Sequence, residues 1–192
     1  MKISNRRLES VGRFLTLLLR HLPQKANLDM NKQGWVLVDQ LLSNTRNNPR
    51  PLSLGELEAV VAFDDKKRFA LRVSEGGLEI RCSQGHSADL GLDLGYESVT
   101  PPAVLYHGYP ESNEAVLMAE GLKGMLRQHV HLTTCKTTAM KSGKRYGKPK
   151  IMVIDAISAD RAGYRFYCSD NSVWLADYVP PEFMTPSEIS SL

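Results

Sequence analysis

Apolar residues recur at helical spacing near the start of the chain. Leu8, Val11, Phe14, Leu15, Leu18 and Leu19 fall on one stripe, with Arg13, Thr16 and Arg20 on the opposite side. The pattern predicts an amphipathic helix that buries this stripe in a core. Pro23 lacks an amide hydrogen and disfavours helical geometry at Leu22, so Arg20 and His21 occupy the last turn. Two cations there complement the negative end of the helix.

The pattern then changes period. Asn31-Lys32-Gln33-Gly34 reads as a turn, Trp35-Val36-Leu37-Val38 as a short strand, and Asp39 as the cap of a brief helix through Leu42. Asn44 to Arg50 is a polar loop. Ser53-Leu54-Gly55-Glu56 is a capping box opening a helix with Leu57, Val60 and Val61 on its buried side. Phe69, Leu71 and Val73 alternate with Ala70 and Arg72, Glu75-Gly76-Gly77 turns the chain, and Leu78, Ile80 and Cys82 alternate again. That is a β-hairpin, and helices followed by a hairpin resemble a winged-helix module.

Residues 88–103 are rich in Gly, Leu and Asp and finish with Thr100-Pro101-Pro102, which predicts a domain boundary there and domains at 1–95 and 96–192. The second half reads as α+β. Val104–His107 is a strand, Glu114–Glu120 a helix stopped by Gly121, His129–Thr133 a strand, Thr137–Ser142 a short helix and Lys150–Asp155 an apolar strand. Tyr164–Tyr167 and Val173–Leu175 flank a polar turn, Ser169–Ser172.

Composition is that of an ordinary globular chain, 42% hydrophobic and 23% charged over 192 residues. No apolar run approaches the roughly 18 residues of a membrane span, and the N-terminus lacks the apolar segment of a secretory signal. Three scattered cysteines, Cys82, Cys135 and Cys168, fit a reducing cytoplasm rather than a disulfide framework or a zinc site. No metal and no membrane are expected, and a monomer is the default. Charge adds more. Residues 1–50 carry nine Lys/Arg against three Asp/Glu, and residues 51–100 carry five against nine. Gly121 to Lys150 holds eight basic residues and no acidic ones. Two basic regions suggest a polyanionic or phosphate-rich ligand.

Four stretches place polar groups where a packed domain has no need of them. They are Arg20-His21, the run Arg81-Cys82-Ser83-Gln84-Gly85-His86-Ser87, Leu105-Tyr106-His107-Gly108, and Arg127-Gln128-His129-Val130-His131-Leu132-Thr133. In the third, a glycine after the histidine lets a ligand approach the backbone. In the fourth, His129, His131 and Thr133 share one face of a strand. With no carboxylate or cysteine nearby in sequence, the histidine pair is not read as a metal site.

Together these stretches resemble the RNA 2′-phosphotransferases of the KptA type. The match runs in order through Leu-Arg-His-x-Pro (19–23), Gly-Trp-Val (34–36), Lys-Lys-Arg-Phe (66–69) and Ile-Arg-x-x-Gln-Gly-His-Ser (80–87). It continues through Leu-Tyr-His-Gly (105–108), Arg-x-His-Val-His-Leu (127–132), Asn-x-Val-Trp-Leu (171–175) and Val-Pro (179–180). The resemblance implies an N-terminal winged-helix lobe that holds RNA and a C-terminal lobe similar to ADP-ribosyltransferases that holds NAD⁺. It implies removal of an internal RNA 2′-phosphate, as at a tRNA splice junction, with NAD⁺ as co-substrate. The products would be ADP-ribose 1″,2″-cyclic phosphate and nicotinamide, reached through an ADP-ribosylated RNA intermediate. The family's catalytic Arg, His, Arg and Arg map by motif to Arg20, His21, Arg81 and Arg127.

The residue chemistry suits that reaction. A 2′-phosphate is already an anion and needs no general base to attack, so the site must chiefly position two mutually repelling anionic substrates. Arginine is planar, permanently charged and able to grip phosphate with two parallel hydrogen bonds. On this reading Arg20, His21 and Arg81 hold the RNA phosphate, while Arg81 and Arg127 steady the second-step transition state. Tyr106, His107 and Gly108 are expected at the nicotinamide ribose, His131 and Thr133 on the facing strand, and Arg145, Asn171 and Trp174 further along the pocket. Trp174 serves equally as a core anchor. Three positions depart from the family pattern: Tyr109 replaces the usual Thr after His-Gly, Thr133 a Ser, and Ser172 the glycine of Asn-Gly-Val-Trp. Tyr109 is expected to crowd or stack in the NAD⁺ pocket. Two other readings stay open: NAD⁺-dependent ADP-ribosylation of terminal nucleic-acid phosphates, and a non-catalytic winged-helix RNA-binding protein.

Overall fold

A computed structural model describes residues 3–48 and 51–187, with helix and sheet mixed as in an α+β protein. The chain packs as two compact units, 1–95 and 96–192. None of the described helices is long and apolar enough to cross a membrane.

In the first unit α1 (Asn5–Arg20) begins at Ser4, whose side chain accepts from the Arg7 amide, and ends at His21. Its predicted stripe is buried: Val11, Leu15, Leu18 and Leu19 join Leu41, Leu57, Val60, Phe69, Ile80 and Cys82 in one core. Each fully buried aliphatic side chain contributes about 1.5–3 kcal/mol. The other elements are β1 (Val36–Leu37), α2 (Val38–Asn44), α3 (Leu54–Phe63), β2 (Phe69–Ser74) and β3 (Gly77–Cys82). The capping box at Ser53 and Glu56 forms in both directions. The strands order as β1-β3-β2, all antiparallel, with Ala70 opposite Arg81 and Arg72 opposite Glu79. The sheet therefore turns Phe69, Leu71, Ile80 and Cys82 to the core and Arg72, Glu79 and Arg81 to its other face.

Four local expectations change. Val38 begins α2 instead of ending the strand, and Leu37 is the cap residue. Asp39 sits in the first turn, where its carboxylate meets the positive helix end without capping it. Asn44 closes α2 and its amide donates to the Ala26 and Asn27 carbonyls, so the polar loop starts later. Residues 49 and 50 of that loop lie outside the described residues. Val73, in the alternation with Phe69 and Leu71, is 84% exposed, next to the hairpin turn.

The second unit contains β4 (Val104–Pro110), α4 (Glu114–Glu120), β5 (Leu122–Lys123), β6 (Val130–Leu132), α5 (Lys136–Gly143), β7 (Pro149–Asp155), α6 (Ala156–Arg161), β8 (Phe166–Cys168), β9 (Trp174–Ala176), β10 (Tyr178–Val179) and β11 (Met184–Pro186). Two three-stranded antiparallel sheets, β11-β7-β4 and β6-β9-β8, enclose Leu105, Tyr109, Leu132, Met152, Ile154, Phe166 and Val179. Gly121 stops α4 as expected, at φ 78°. The sequence pattern misses α6, whose cap is Asp155 accepting from the Ser158 amide at 3.1 Å. It also misses β5, β10 and β11, which at two or three residues are too short to carry a period.

Candidate active site

In the first unit the last turn of α1 meets the loop that leaves β3 after Cys82. The Ser87 amide donates to the Arg20 carbonyl at 2.9 Å, and Ser87 Oγ lies 2.8 Å from His21 Nδ1. One residue thus satisfies an orphan carbonyl at the helix end and fixes the imidazole. Gly85 has φ +86°, and a Cβ there would lie 3.2 Å from Arg20 Cζ and Nη1. Only glycine lets this loop lie so close against the guanidinium. Arg20 Nε and Nη2 are buried and meet no hydrogen-bond acceptor among the described residues. Its charge also reaches the Cys82 thiol, which burial pushes up to about 11 against the pull of Arg20. Arg20 as a whole is half-buried, and its two enclosed donors have the chemistry to pair with an anion, because leaving such groups unpaired costs more than a typical hydrogen bond gains.

Arg81 is held differently. Only 7% exposed, it lies over the Trp35 ring with Cζ 4.6 Å from the centroid, and Nη1 donates to the carbonyls of Gln33 (3.2 Å) and Leu94 (3.0 Å). Arg72 also lies over Trp35, at 4.2 Å, and pairs with Glu79 at 2.5 Å. The Gly34 turn that presents Trp35 has φ +82°, and His86 and Leu94 lie against it. The loop after the hairpin, the α1 terminus and the Trp35 platform therefore fix Arg20, His21 and Arg81 in one unit.

In the second unit β4 pairs with β7 along its length and meets β6 at an isolated bridge, Tyr106 with Thr133, through reciprocal amide bonds of 2.8 and 3.0 Å. His107 Nδ1 lies 2.9 Å from the His131 carbonyl, an acceptor, so Nδ1 carries the proton. Burial lowers the His107 pKa, the bond to His131 raises it, and the Arg127 charge lowers it again. The bond to the His131 carbonyl fixes the Nδ1–H tautomer, and burial favours the neutral ring. Arg127 is exposed at the end of a tight turn in which its amide donates to the Gly124 carbonyl at 3.0 Å.

Packing gives Gly108 a second reason to be glycine and overturns the expectation for Tyr109. A Cβ at Gly108 would lie 1.7 Å from the Ala139 carbonyl oxygen and 3.0 Å from the Gly143 amide nitrogen. α5 fills the space on the Cβ side of Gly108, so packing against the helix by itself requires glycine there. Tyr109 is 2% exposed, in the core, and its hydroxyl donates to Glu114 Oε2 at 2.6 Å. Glu114 also pairs with Lys150 at 2.9 Å, so Tyr109 anchors an ion-pair network instead of stacking in a pocket.

The remaining pocket candidates are distributed. Thr133 Oγ1 accepts from the Cys135 amide at the start of α5, and Lys136 Nζ lies 5.4 Å over the Tyr106 ring. Trp174 is partly buried against the core, the anchor alternative. Asn171 Oδ1 accepts from Ser169 Oγ at 2.8 Å, and Ser172 takes φ +60°, a conformation that suits the glycine usual in the family. Arg145 is exposed in a short 3₁₀ turn, Lys144–Tyr146. Sequence reasoning missed Trp35 as the platform for Arg81 and Ser87 as the partner of His21. Both stood inside quoted motifs, but their partners are far away in sequence.

Comparison with known proteins accounts for the whole arrangement at once. The model of the RNA 2′-phosphotransferase, Tpt1/KptA family matches residues 6–178. Probable RNA 2′-phosphotransferases of Rhodopirellula baltica and Nostoc punctiforme are each 42% identical to it over 182 residues, 95% of this chain and 97% and 98% of theirs. That of Agrobacterium fabrum is 43% identical over 182 residues, 95% of this chain and 96% of its own. Near full-length identity at this level, with every quoted motif inside the matched span or just beyond it, makes the chain a member of the RNA 2′-phosphotransferase family.

Proposed function

We propose that this protein removes an internal 2′-phosphate from RNA and transfers it to NAD⁺ in the cytoplasm, with the first unit a winged-helix RNA-holding lobe and the second an ADP-ribosyltransferase-like lobe. The observation that carries the reading is the half-buried Arg20 beside His21, whose enclosed guanidinium nitrogens Nε and Nη2 lack acceptors among the described residues. Its donor chemistry fits a phosphate dianion.

The bonds are accounted for as follows. A 2′-phosphate oxygen attacks the ribose carbon that bears nicotinamide, and nicotinamide leaves neutral with the C–N electron pair. The adjacent ribose hydroxyl then attacks phosphorus, the RNA 2′-oxygen leaves, and one proton passes from the ribose hydroxyl to the RNA. The protein's share is position and charge. Arg20 and His21 grip the phosphate, with Ser87 holding the imidazole in register. Arg81, fixed by two carbonyls and an indole, offers a charge that does not have to reorganise during the reaction. Arg127 stabilises the charge gathering on the phosphoryl oxygens of the second step. His131 and Thr133 face the nicotinamide ribose with Tyr106 and His107, at the bridge where two sheet edges meet. A neutral His107 suits a site that must accept a cationic nicotinamide ring and release it.

A short RNA with one radiolabelled internal 2′-phosphate, incubated with and without NAD⁺, tests this. Label is expected in a cyclic ADP-ribose phosphate only when NAD⁺ is present, and Arg20→Ala abolishes the transfer. An Arg127→Ala variant accumulates ADP-ribosylated RNA. Label remaining on RNA while nicotinamide is released would establish terminal or incomplete ADP-ribosyl transfer instead. Label remaining with no nicotinamide released would leave only the binding protein.

A further inference from the structure

We infer that the turn Gly124–Arg127 is a positioning element for RNA, its two apolar tip residues covering a nucleobase next to the 2′-phosphate; this rests on the function proposed above. Met125 and Leu126 are 82% and 88% exposed, among the most exposed large hydrophobic side chains of the described residues. A single exposed apolar side chain is ordinary, but an adjacent pair at the tip of a tight turn is a presented surface. The turn is strained to present them. Met125 adopts φ +55°, and Gly124 has no room for a Cβ, which would lie 2.5 Å from the Arg127 carbonyl oxygen. A non-glycine residue in this conformation costs of the order of 1 kcal/mol and persists where the surroundings impose it. Here both ends are tied down, by Leu122 in β5 and by Val130 in β6, each almost fully buried.

Charge selects the occupant. Between Gly121 and Lys150 the chain has eight cations and no acidic residue, and the turn ends on the exposed Arg127. A hydrophobic tip inside a basic, acid-free stretch matches a ligand that is anionic along its backbone and apolar on its flat faces. Single-stranded RNA is such a ligand: its bases splay out, stack on side chains and leave the phosphates to cations. Because Arg127 directly follows the tip, a base resting on Leu126 and Met125 would set how far the neighbouring phosphate stands from the guanidinium.

Steady-state kinetics on a short single-stranded RNA with one internal 2′-phosphate decides this, run beside the same RNA made abasic at the nucleotide on either side. Leu126→Ser and Met125→Gly are expected to raise KM for the intact RNA about fivefold or more, with the KM for NAD⁺ unchanged. One of the two abasic RNAs should show the same rise with the wild-type protein and no further rise with either variant. Met125→Gly relieves the positive φ, so it should weaken RNA binding while leaving the melting temperature equal or higher, a divergence that no purely structural role produces. Unchanged RNA KM, an effect confined to NAD⁺, or equal effects on intact and abasic RNAs would each overturn the inference. If the wild-type protein binds this RNA without turnover, the proposed reaction fails, and the same comparison by fluorescence anisotropy still decides the turn.

Discussion

Replacing Gly108 by alanine separates two roles for a glycine that follows the site histidine. The added methyl carbon would lie 1.7 Å from the Ala139 carbonyl oxygen, 2.5 Å from the Ala139 carbonyl carbon and 3.0 Å from the Gly143 amide nitrogen, where ordinary contact begins at 3.4 Å. Taking 3.4 − 1.7, β4 and α5 must part by 1.7 Å along that line. Gly143 on the helix is equally close-fitting, since a Cβ there would lie 2.9 Å from the backbone nitrogen and oxygen of Tyr109. The two glycines let a helix lie directly on a strand, and no side chain can swing away to relieve the clash. Overpacking a core costs about 1–3 kcal/mol, and a backbone obstacle places this case at about 3 kcal/mol or more. For a chain of this length that lowers the melting temperature by about 6–12 °C. Thermal melts followed by circular dichroism measure it, with NAD⁺ titrations run well below the transition. An unchanged melting temperature together with lost NAD⁺ affinity would refute the packing argument and return Gly108 to the ligand.

Further outcomes follow from the same kind of reasoning. Gly85→Ala places a methyl group 3.2 Å from Arg20 Cζ at φ +86°, so it should cost about 1–2 kcal/mol of stability and reduce RNA 2′-phosphate transfer tenfold or more. Full activity in that variant would show that the guanidinium does not depend on the loop. Ser172→Gly relieves φ +60° and should raise stability by about 0.5–1 kcal/mol once glycine's greater unfolded freedom is subtracted; a lower melting temperature would contradict it. Glu56 receives a two-pronged bond from Arg7 and two bonds from Ser53, which hold its carboxyl at about 2 instead of 4.5. A depressed acid stabilises the fold above its unfolded pKa and loses that contribution as pH falls through its folded value. The gap in melting temperature between wild type and Glu56→Gln should therefore be largest above about pH 5 and close towards pH 2. A gap that stayed constant over that range would remove the ion pair from the argument.

Local chemistry made much of this fold legible in the sequence. The Ser53 capping box, the stripe from Leu8 to Leu19, the hairpin around Gly76-Gly77 and the stop at Gly121 all depend on neighbours within a few residues, and all formed. The start of α2 at Val38 was misread because an apolar pair after Trp35 suits a strand end and a helix start alike, and pairing with Ile80 and Glu79 decides it. At the site, residue types were readable but not what they face. Tyr109 looked available because its partner, Glu114, approaches from another element, and Gly108 looked open because the helix that fills the space begins 28 residues later, counting from 108 to 136. The family resemblance brought the right residues together in a list, while only packing shows which of them have room beside them.

The bond between His21 and Ser87 spans 66 residues of chain. The helix that carries His21 is built from local contacts, whereas the partner that fixes its imidazole is delivered only after the hairpin has closed and its loop has come back across. Helical signal and the His21–Ser87 contact should therefore return at different times when the unfolded chain is diluted into buffer, the first on the timescale of local structure and the second with the slower long-range contacts. A newly made chain therefore completes its first helix before the partner of His21 has been synthesised, and the imidazole is fixed only when the whole unit closes.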